Sequence, residues 1–120
     1  MRKSILLLLL FSTTLVVKGQ NLVPNGGFEQ YTSCPNNFAQ LDSALFWHQP
    51  TTASSDYFNQ CAPLGISVPY NAFGFQQAHS GVAYGGIYLF TGGIPLNYRE
   101  YCETSLLSPL NAGACYHIEF

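Results

Sequence analysis

Hydrophobic residues in this chain fall into short runs that glycine, proline and asparagine separate. After residue 20, a run at 82–90 reads V-A-Y-G-G-I-Y-L-F, and a second strand-like run lies at 99–107. From Tyr116 to Phe120 hydrophobic and polar residues alternate, which is the two-residue period of a strand with one buried face. No segment after residue 20 keeps the spacing of an amphipathic helix for three turns. The pattern predicts an all-β, antiparallel domain.

The intervening segments carry turn and loop residues. Residues 32–80 are mostly loop-like, with weak helical character at 37–45, and residues 108–113 form a turn between the last two predicted strands. About five or six strands can be counted, fewer than the seven or more of a β-sandwich. We therefore expect a β-sandwich whose closing strands lie beyond Phe120, the alternative being a short chain that ends on an edge strand.

Residues 1–19 have the composition of a signal peptide. Two basic residues precede an unbroken apolar run, and Val17 and Gly19 provide the small residues of a cleavage site before Gln20. The run is short for a membrane span, and no second run follows it. We predict Sec-type export of residues 20–120 to the cell surface or medium, without membrane insertion. The alternative is a buried N-terminal helix.

Removal of that signal leaves a strongly unbalanced charge. Arg99 remains as the single basic residue against six acidic ones, so the net charge is about −5 with neutral histidines. Such a surface lacks the cations that neutralise phosphates, which argues against nucleic acid and anionic lipid as partners. Aromatic residues make up 15% of the chain and charged residues 8%, which indicates a folded domain with a polar but uncharged surface.

Four cysteines suit an oxidising compartment: Cys34, Cys61, Cys102 and Cys115. Of the three pairings, we favour Cys34–Cys61 with Cys102–Cys115, because the first closes one loop-rich segment and the second closes the predicted hairpin. A zinc site is disfavoured because the chain has no C-x-x-C motif and its three histidines keep no ligand spacing.

Several motifs together resemble a known family. The segment N-L-V-P-N-G-G-F-E at 21–29, followed by Trp47, resembles the opening strand of galactose-binding-like jelly-roll modules, which include carbohydrate-binding modules of secreted glycanases. The segment at 108–120 resembles their P-L-x-A-G strand entry. The runs S-C-P-N-N, D-Y-F-N-Q-C, A-H-S-G-V-A-Y-G-G and N-Y-R-E-Y resemble N-terminal modules of Bacteroidetes secreted and cell-surface proteins, which often carry type IX sorting, gliding-motility or OmpA-like domains.

This resemblance implies an incomplete jelly-roll sandwich at the N-terminus of a larger exported protein, with further domains after it. It also implies a structural calcium ion at Glu29, with nearby carbonyl oxygens as ligands. The other interpretation of Glu29 is a polar residue at a strand end. Cysteines at the positions of Cys102 and Cys115 are not usual in the family.

Ligand-binding candidates are aromatic residues and the remaining cation: Trp47, Tyr57, Tyr88, Tyr98 and Arg99. An indole or phenol face can stack on a sugar ring, and a guanidinium can bind a hydroxyl or carboxylate. Each also has a structural interpretation, with Trp47 as a core anchor and Arg99 in an ion pair with a nearby acid. Tyr84 and Tyr88 lie on one face of a strand, so part of the tyrosine set is expected to line a groove.

Catalytic and nucleotide-binding motifs are missing from the sequence. There is no phosphate-binding G-x-x-x-x-G-K-[ST] and no G-x-S-x-G at Ser80, and the six acids form no recognisable glycosidase pair. The sequence predicts a non-catalytic extracellular module that binds carbohydrate or a cell-surface polymer. The alternatives are a structural or adhesion spacer without a small ligand, and an accessory domain of an enzyme encoded beyond Phe120.

Overall fold

The computed structural model describes residues 19–93 and 97–119, so the predicted signal peptide lies outside the described residues apart from Gly19. Strands in this part of the chain are short and antiparallel, and none of its helical turns exceeds three residues. In chain order the elements are a 3₁₀ turn at Leu41–Ser43, β1 at Asp56–Asn59, a 3₁₀ turn at Leu64–Ile66, β2 at Tyr70–Asn71, β3 at Gly74–Phe75 and β4 at Ala83–Gly86. The described chain is therefore mostly β and loop.

Two small sheets organise the described residues. β1 pairs with β4, with Asp56 opposite Gly86 and Phe58 opposite Tyr84. β2 pairs with β3 in a tight hairpin that places Asn71 opposite Gly74. The Asn71 side chain stabilises the hairpin turn, because its Oδ1 accepts a 2.9 Å hydrogen bond from the backbone N–H of Phe73.

The two faces of the β1–β4 sheet differ in their packing. On one face Tyr57 and Ala83 form a buried cluster with Ala44, against which Phe28 and Trp47 pack. On the other face Phe58 packs with Ile66 and Val68, and Tyr84 packs against this cluster. Alternation along two four-residue strands therefore supplies hydrophobic residues to both sides of the sheet.

Close approach of Phe58 to β4 requires glycine at position 86. A Cβ atom at Gly86 would lie 2.5 Å from Cε2 of Phe58, far inside van der Waals contact. The missing side chain lets the phenyl ring lie flat over the neighbouring strand. This glycine therefore marks a close packing position within a strand.

One disulfide stabilises the loop before β1. Cys34 and Cys61 are bonded with their Cα atoms 6.0 Å apart, as predicted, and the bridge connects the loop at 32–38 to the end of β1. A disulfide is typical of extracellular proteins. No helix among residues 19–93 and 97–119 is long and apolar enough to cross a membrane.

The second predicted bridge is not present, because Cys102 and Cys115 are both free and exposed. Its physical basis was a hairpin, and the hairpin does not form. Residues 104–119 contain no strand, and Glu103 makes only an isolated antiparallel bridge with His48. Without a paired ladder, nothing in the described backbone aligns the two cysteines.

Candidate functional site

A cavity of about 300 Å³ lies between the β1–β4 sheet and the β2–β3 hairpin. Asp56, Phe58 and Tyr84 face it from the sheet, and Phe73 and Phe75 face it from the hairpin. Because Asp56 and Phe58 are two residues apart and their partners Gly86 and Tyr84 lie opposite, the strand register places them on one face. The volume lies at the lower end of the range for small-molecule sites.

Aromatic rings form most of the cavity wall. The ring centroids of Phe58 and Tyr84 lie 5.1 Å apart, and the ring of Phe73 meets that of Tyr88 edge to face at 5.8 Å. Phe73 also contacts Phe58 edge to face at 6.1 Å, so the four rings form a connected wall. Such offset and edge-to-face contacts stabilise an aromatic cluster while leaving ring faces available.

Polar groups lie at defined points of the same wall. Asp56 is 5% exposed, and its Oδ1 accepts a 2.7 Å hydrogen bond from the backbone N–H of Ala39. Among the described residues we find no hydrogen bond to its Oδ2. Asn71 donates from Nδ2 to the Tyr84 hydroxyl at 2.6 Å, and Gln76 adds a second amide. The cavity thus combines aromatic faces, one carboxylate and two amides.

Burial raises the pKa of the Asp56 carboxyl above its usual 3.8. The hydrogen bond from Ala39 opposes this rise, and the negative charge of Glu100 adds to it. Burial likewise raises the pKa of the Tyr84 hydroxyl, which the bond from Asn71 partly offsets. The phenol therefore stays a neutral donor and acceptor at physiological pH.

Glu100 is a second buried carboxylate, located next to the cavity wall. Its Oε1 accepts hydrogen bonds from Ser54 Oγ at 2.7 Å and from the Tyr98 hydroxyl at 3.1 Å. Its Oε2 accepts one from the backbone N–H of Tyr88 at 2.9 Å. These three donors compensate the burial of the charge and position the backbone of Tyr88 after β4.

The structure brings two of the predicted ligand residues to this region. Tyr88 is 44% exposed and lines the cavity together with Tyr84. Tyr98 lies beside Glu100, where its hydroxyl donates to the carboxylate and lies 2.8 Å from Ser54 Oγ, and it does not line the cavity. Arg99 is exposed over the ring of Phe90, 5.9 Å from its centroid, and forms no ion pair with an acid among the described residues.

Trp47 and Tyr57 are core residues. The indole of Trp47 stacks on Phe28 at 4.5 Å, and its Nε1 donates a 2.9 Å hydrogen bond to the carbonyl of Asn25. The sequence predicts Tyr57 on a ligand-binding surface. In the structure its side chain is fully buried. Strand alternation places Tyr57 on the sheet face opposite to Asp56 and Phe58, and Trp47 packs against the cluster on that face.

Glu29 has a structural role at the start of β4. Its Oε1 accepts hydrogen bonds from the backbone N–H groups of Val82 and Ala83, at 2.9 and 3.1 Å. These two bonds connect the segment before residue 30 to the residues where β4 begins. Among the described residues, no three histidine, cysteine, aspartate or glutamate side chains form a metal-binding group.

Most of the cavity wall lies within residues 32–80, where the sequence pattern predicts loops rather than strands. β1 and the β2–β3 hairpin both lie within that range. The sequence does contain short features that are typical of these strands. Asp56 and Phe58 alternate with Tyr57, and Asn71 and Gly74 flank the two residues of the hairpin turn. These runs are shorter than the windows over which periodicity is informative.

Comparisons with protein-family models, with curated proteins and with solved structures found no match to this chain.

Proposed function

We propose that this chain is a non-catalytic, exported module that binds carbohydrate through the aromatic cavity beside β4. The observation that carries the proposal is the combination of Phe58, Phe73, Tyr84 and Tyr88 with the Asp56 carboxylate in one 300 Å³ cavity. On the sequence resemblance, we assign the module to galactose-binding-like jelly rolls at the N-terminus of a larger cell-surface or secreted protein. The disulfide and the mostly-β fold support this assignment.

The wall of the cavity has the chemistry that sugars require. The C–H face of a pyranose ring stacks on an aromatic ring, and its hydroxyls need acceptors and donors around the edge. Asp56 Oδ2 is an acceptor, and the amides of Asn71 and Gln76 supply both kinds of group. A cavity of this size holds about one sugar unit.

A binding function is favoured over glycoside hydrolysis because hydrolysis requires two free carboxyl groups across the bond. Near this cavity both oxygens of Glu100 accept hydrogen bonds within the protein. Asp56 is then the single carboxylate among the described residues that faces the cavity with an unbonded oxygen. One such group can orient a hydroxyl but cannot act as an acid–base pair.

Retention on insoluble polysaccharides, followed by a glycan array, tests the proposal. We expect the complete chain to be retained by at least one polysaccharide and Tyr88→Ala to weaken retention about tenfold, since stacking on one ring is lost. Tyr101→Ala is the matched control, because Tyr101 is 48% exposed and does not line the cavity. Trp47→Ala is unsuitable as a binding probe because its indole belongs to the core.

If retention on the polysaccharide falls equally in the Tyr88 and Tyr101 variants, the cavity is not the binding site. Failure of the folded chain to bind any glycan would favour a structural or adhesion spacer. A spacer has no need for a buried carboxylate that lines a cavity beside four aromatic rings, which is why the binding function is preferred.

A further inference from the structure

The cavity beside β4 has negative charge and no positive partner among the described residues. Asp56 lines it, and the buried Glu100 carboxylate is close enough to act on Asp56 through its charge. Arg99 is the single lysine or arginine at 19–93 and 97–119, and it lies over Phe90 rather than at the cavity. Electrostatically, this cavity therefore favours a cation.

The aromatic wall acts in the same direction. The face of each ring carries partial negative charge, so a cation within about 6 Å of the ring centroid is attracted to it. Phe58, Phe73, Tyr84 and Tyr88 surround the space next to Asp56. Rings of this kind beside a carboxylate form the arrangement that recognises organic ammonium groups.

We propose that the ligand carries a protonated amine, and specifically that the cavity binds an amino sugar unit of a polysaccharide with free amino groups. The amine would pair with Asp56 Oδ2, and the sugar ring would lie against Tyr88. This inference rests on the proposed carbohydrate-binding function and narrows its substrate class. Uronic acids and sulfated sugars are disfavoured because the described cavity wall offers them no cation.

N-acetylation provides a matched pair of ligands. A free-amine glucosamine oligomer and its N-acetylated counterpart share the same sugar backbone, but only the first carries positive charge. Calorimetry with the complete chain at about pH 6, below the ordinary pKa of an amine, compares the two. We expect the free-amine oligomer to bind at least about tenfold more tightly, because a charge-assisted hydrogen bond is lost on acetylation.

Asp56→Asn tests the residue that gives this preference. Asparagine keeps an oxygen acceptor for the N–H of Ala39 but removes the charge. We expect it to reduce the preference for the free-amine oligomer to within about twofold, while near-ultraviolet circular dichroism shows an unchanged fold. Should this variant fail to fold, Tyr88→Leu removes one exposed ring and is expected to weaken amine binding about threefold or more, against Tyr101→Leu as control.

The outcomes separate the two proposals. Equal affinity for both oligomers, or a preference for the acetylated one, would overturn the amine inference and leave carbohydrate binding standing. An unchanged preference in a folded Asp56→Asn protein would also overturn it. If neither oligomer binds while another polysaccharide retains the chain, the inference fails alone. If no glycan binds at all, the proposed function fails with it.

Discussion

The hydroxyl of Tyr57 donates a 2.8 Å hydrogen bond to the carbonyl oxygen of Phe28 and accepts one of the same length from Nδ2 of Asn59. Tyr57 is fully buried, so no water replaces either partner when the hydroxyl is removed. We expect Tyr57→Phe to lower the free energy of unfolding by about 1–3 kcal/mol, measured by urea denaturation.

The matched control is Tyr101→Phe, whose side chain is exposed and whose stability should change by less than about 0.5 kcal/mol. Glycan binding per folded molecule should be unaffected in Tyr57→Phe. If Tyr57→Phe loses glycan binding without a loss of stability, Tyr57 belongs to the ligand site.

Gly81 allows Glu29 to approach the start of β4. Its φ is +69°, a region that residues with a side chain adopt at a cost, and a Cβ atom there would collide with the Glu29 carboxylate. We expect Gly81→Ala to destabilise the fold by about 2 kcal/mol or more by thermal or urea unfolding, since strain adds to the loss of the bonds to Val82 and Ala83.

Gly65→Ala provides the comparison, because no atom lies within 4 Å of a Cβ placed there. Equal stability of the two variants would show that the Glu29 carboxylate does not depend on Gly81.

Chymotrypsin can verify the cysteine pairing, because aromatic residues flank each half of the bridge. Under non-reducing conditions we expect a linked species of peptides 32–38 and 59–70, which carry Cys34 and Cys61. Cys102 and Cys115 should be alkylated without reduction. Replacement of Cys34 and Cys61 by serine should cost about 2–5 kcal/mol of stability. Linkage of Cys102 to Cys115 in the mature protein would contradict the described arrangement.

The stability of the fold should depend on pH through Asp56. Its pKa is raised in the folded state, mainly by burial and further by Glu100, so the folded chain binds the proton more tightly than the unfolded chain. The free energy of unfolding should therefore decrease as pH rises from about 3.8 through the folded pKa.

Asp56→Asn removes this titration, so its stability relative to the original chain should increase with pH over that window. Urea denaturation of both proteins between about pH 3 and pH 7 gives the difference, in which the carboxyl groups that do not interact with Asp56 cancel. A difference that stays constant with pH would show that Asp56 has the same affinity for protons in both states.

Short-range patterns in the sequence were sufficient for part of the structure. The strand-like run at 82–90 predicted β4, and the position of Cys34 and Cys61 around a loop-rich segment predicted their bridge. These features depend on neighbours in the chain or on one pairing, which is the information that a sequence carries most directly.

Features that depend on tertiary packing cannot be predicted from such short-range patterns. Tyr57 and Tyr88 are the same residue type, but Tyr57 is buried within β1 and Tyr88 is 44% exposed after the end of β4. The use of Glu29 as an acceptor for Val82 and Ala83 spans more than fifty residues. At 99–107 and 116–119 suitable strand patterns find no partner strand among the described residues, and strand propensity without a partner does not make a sheet.

The two sides of β1 have different neighbours, and this difference has an evolutionary consequence. Tyr57 and Asn59 lie in the interior, whereas Asp56 and Phe58 face the cavity beside the hairpin at 70–76. On the proposed binding function, changes confined to this hairpin would alter which ligand the cavity binds while Tyr57 and Asn59 keep their buried contacts. Related chains that share the interior but differ in this short stretch would be variants of one scaffold with separate specificities.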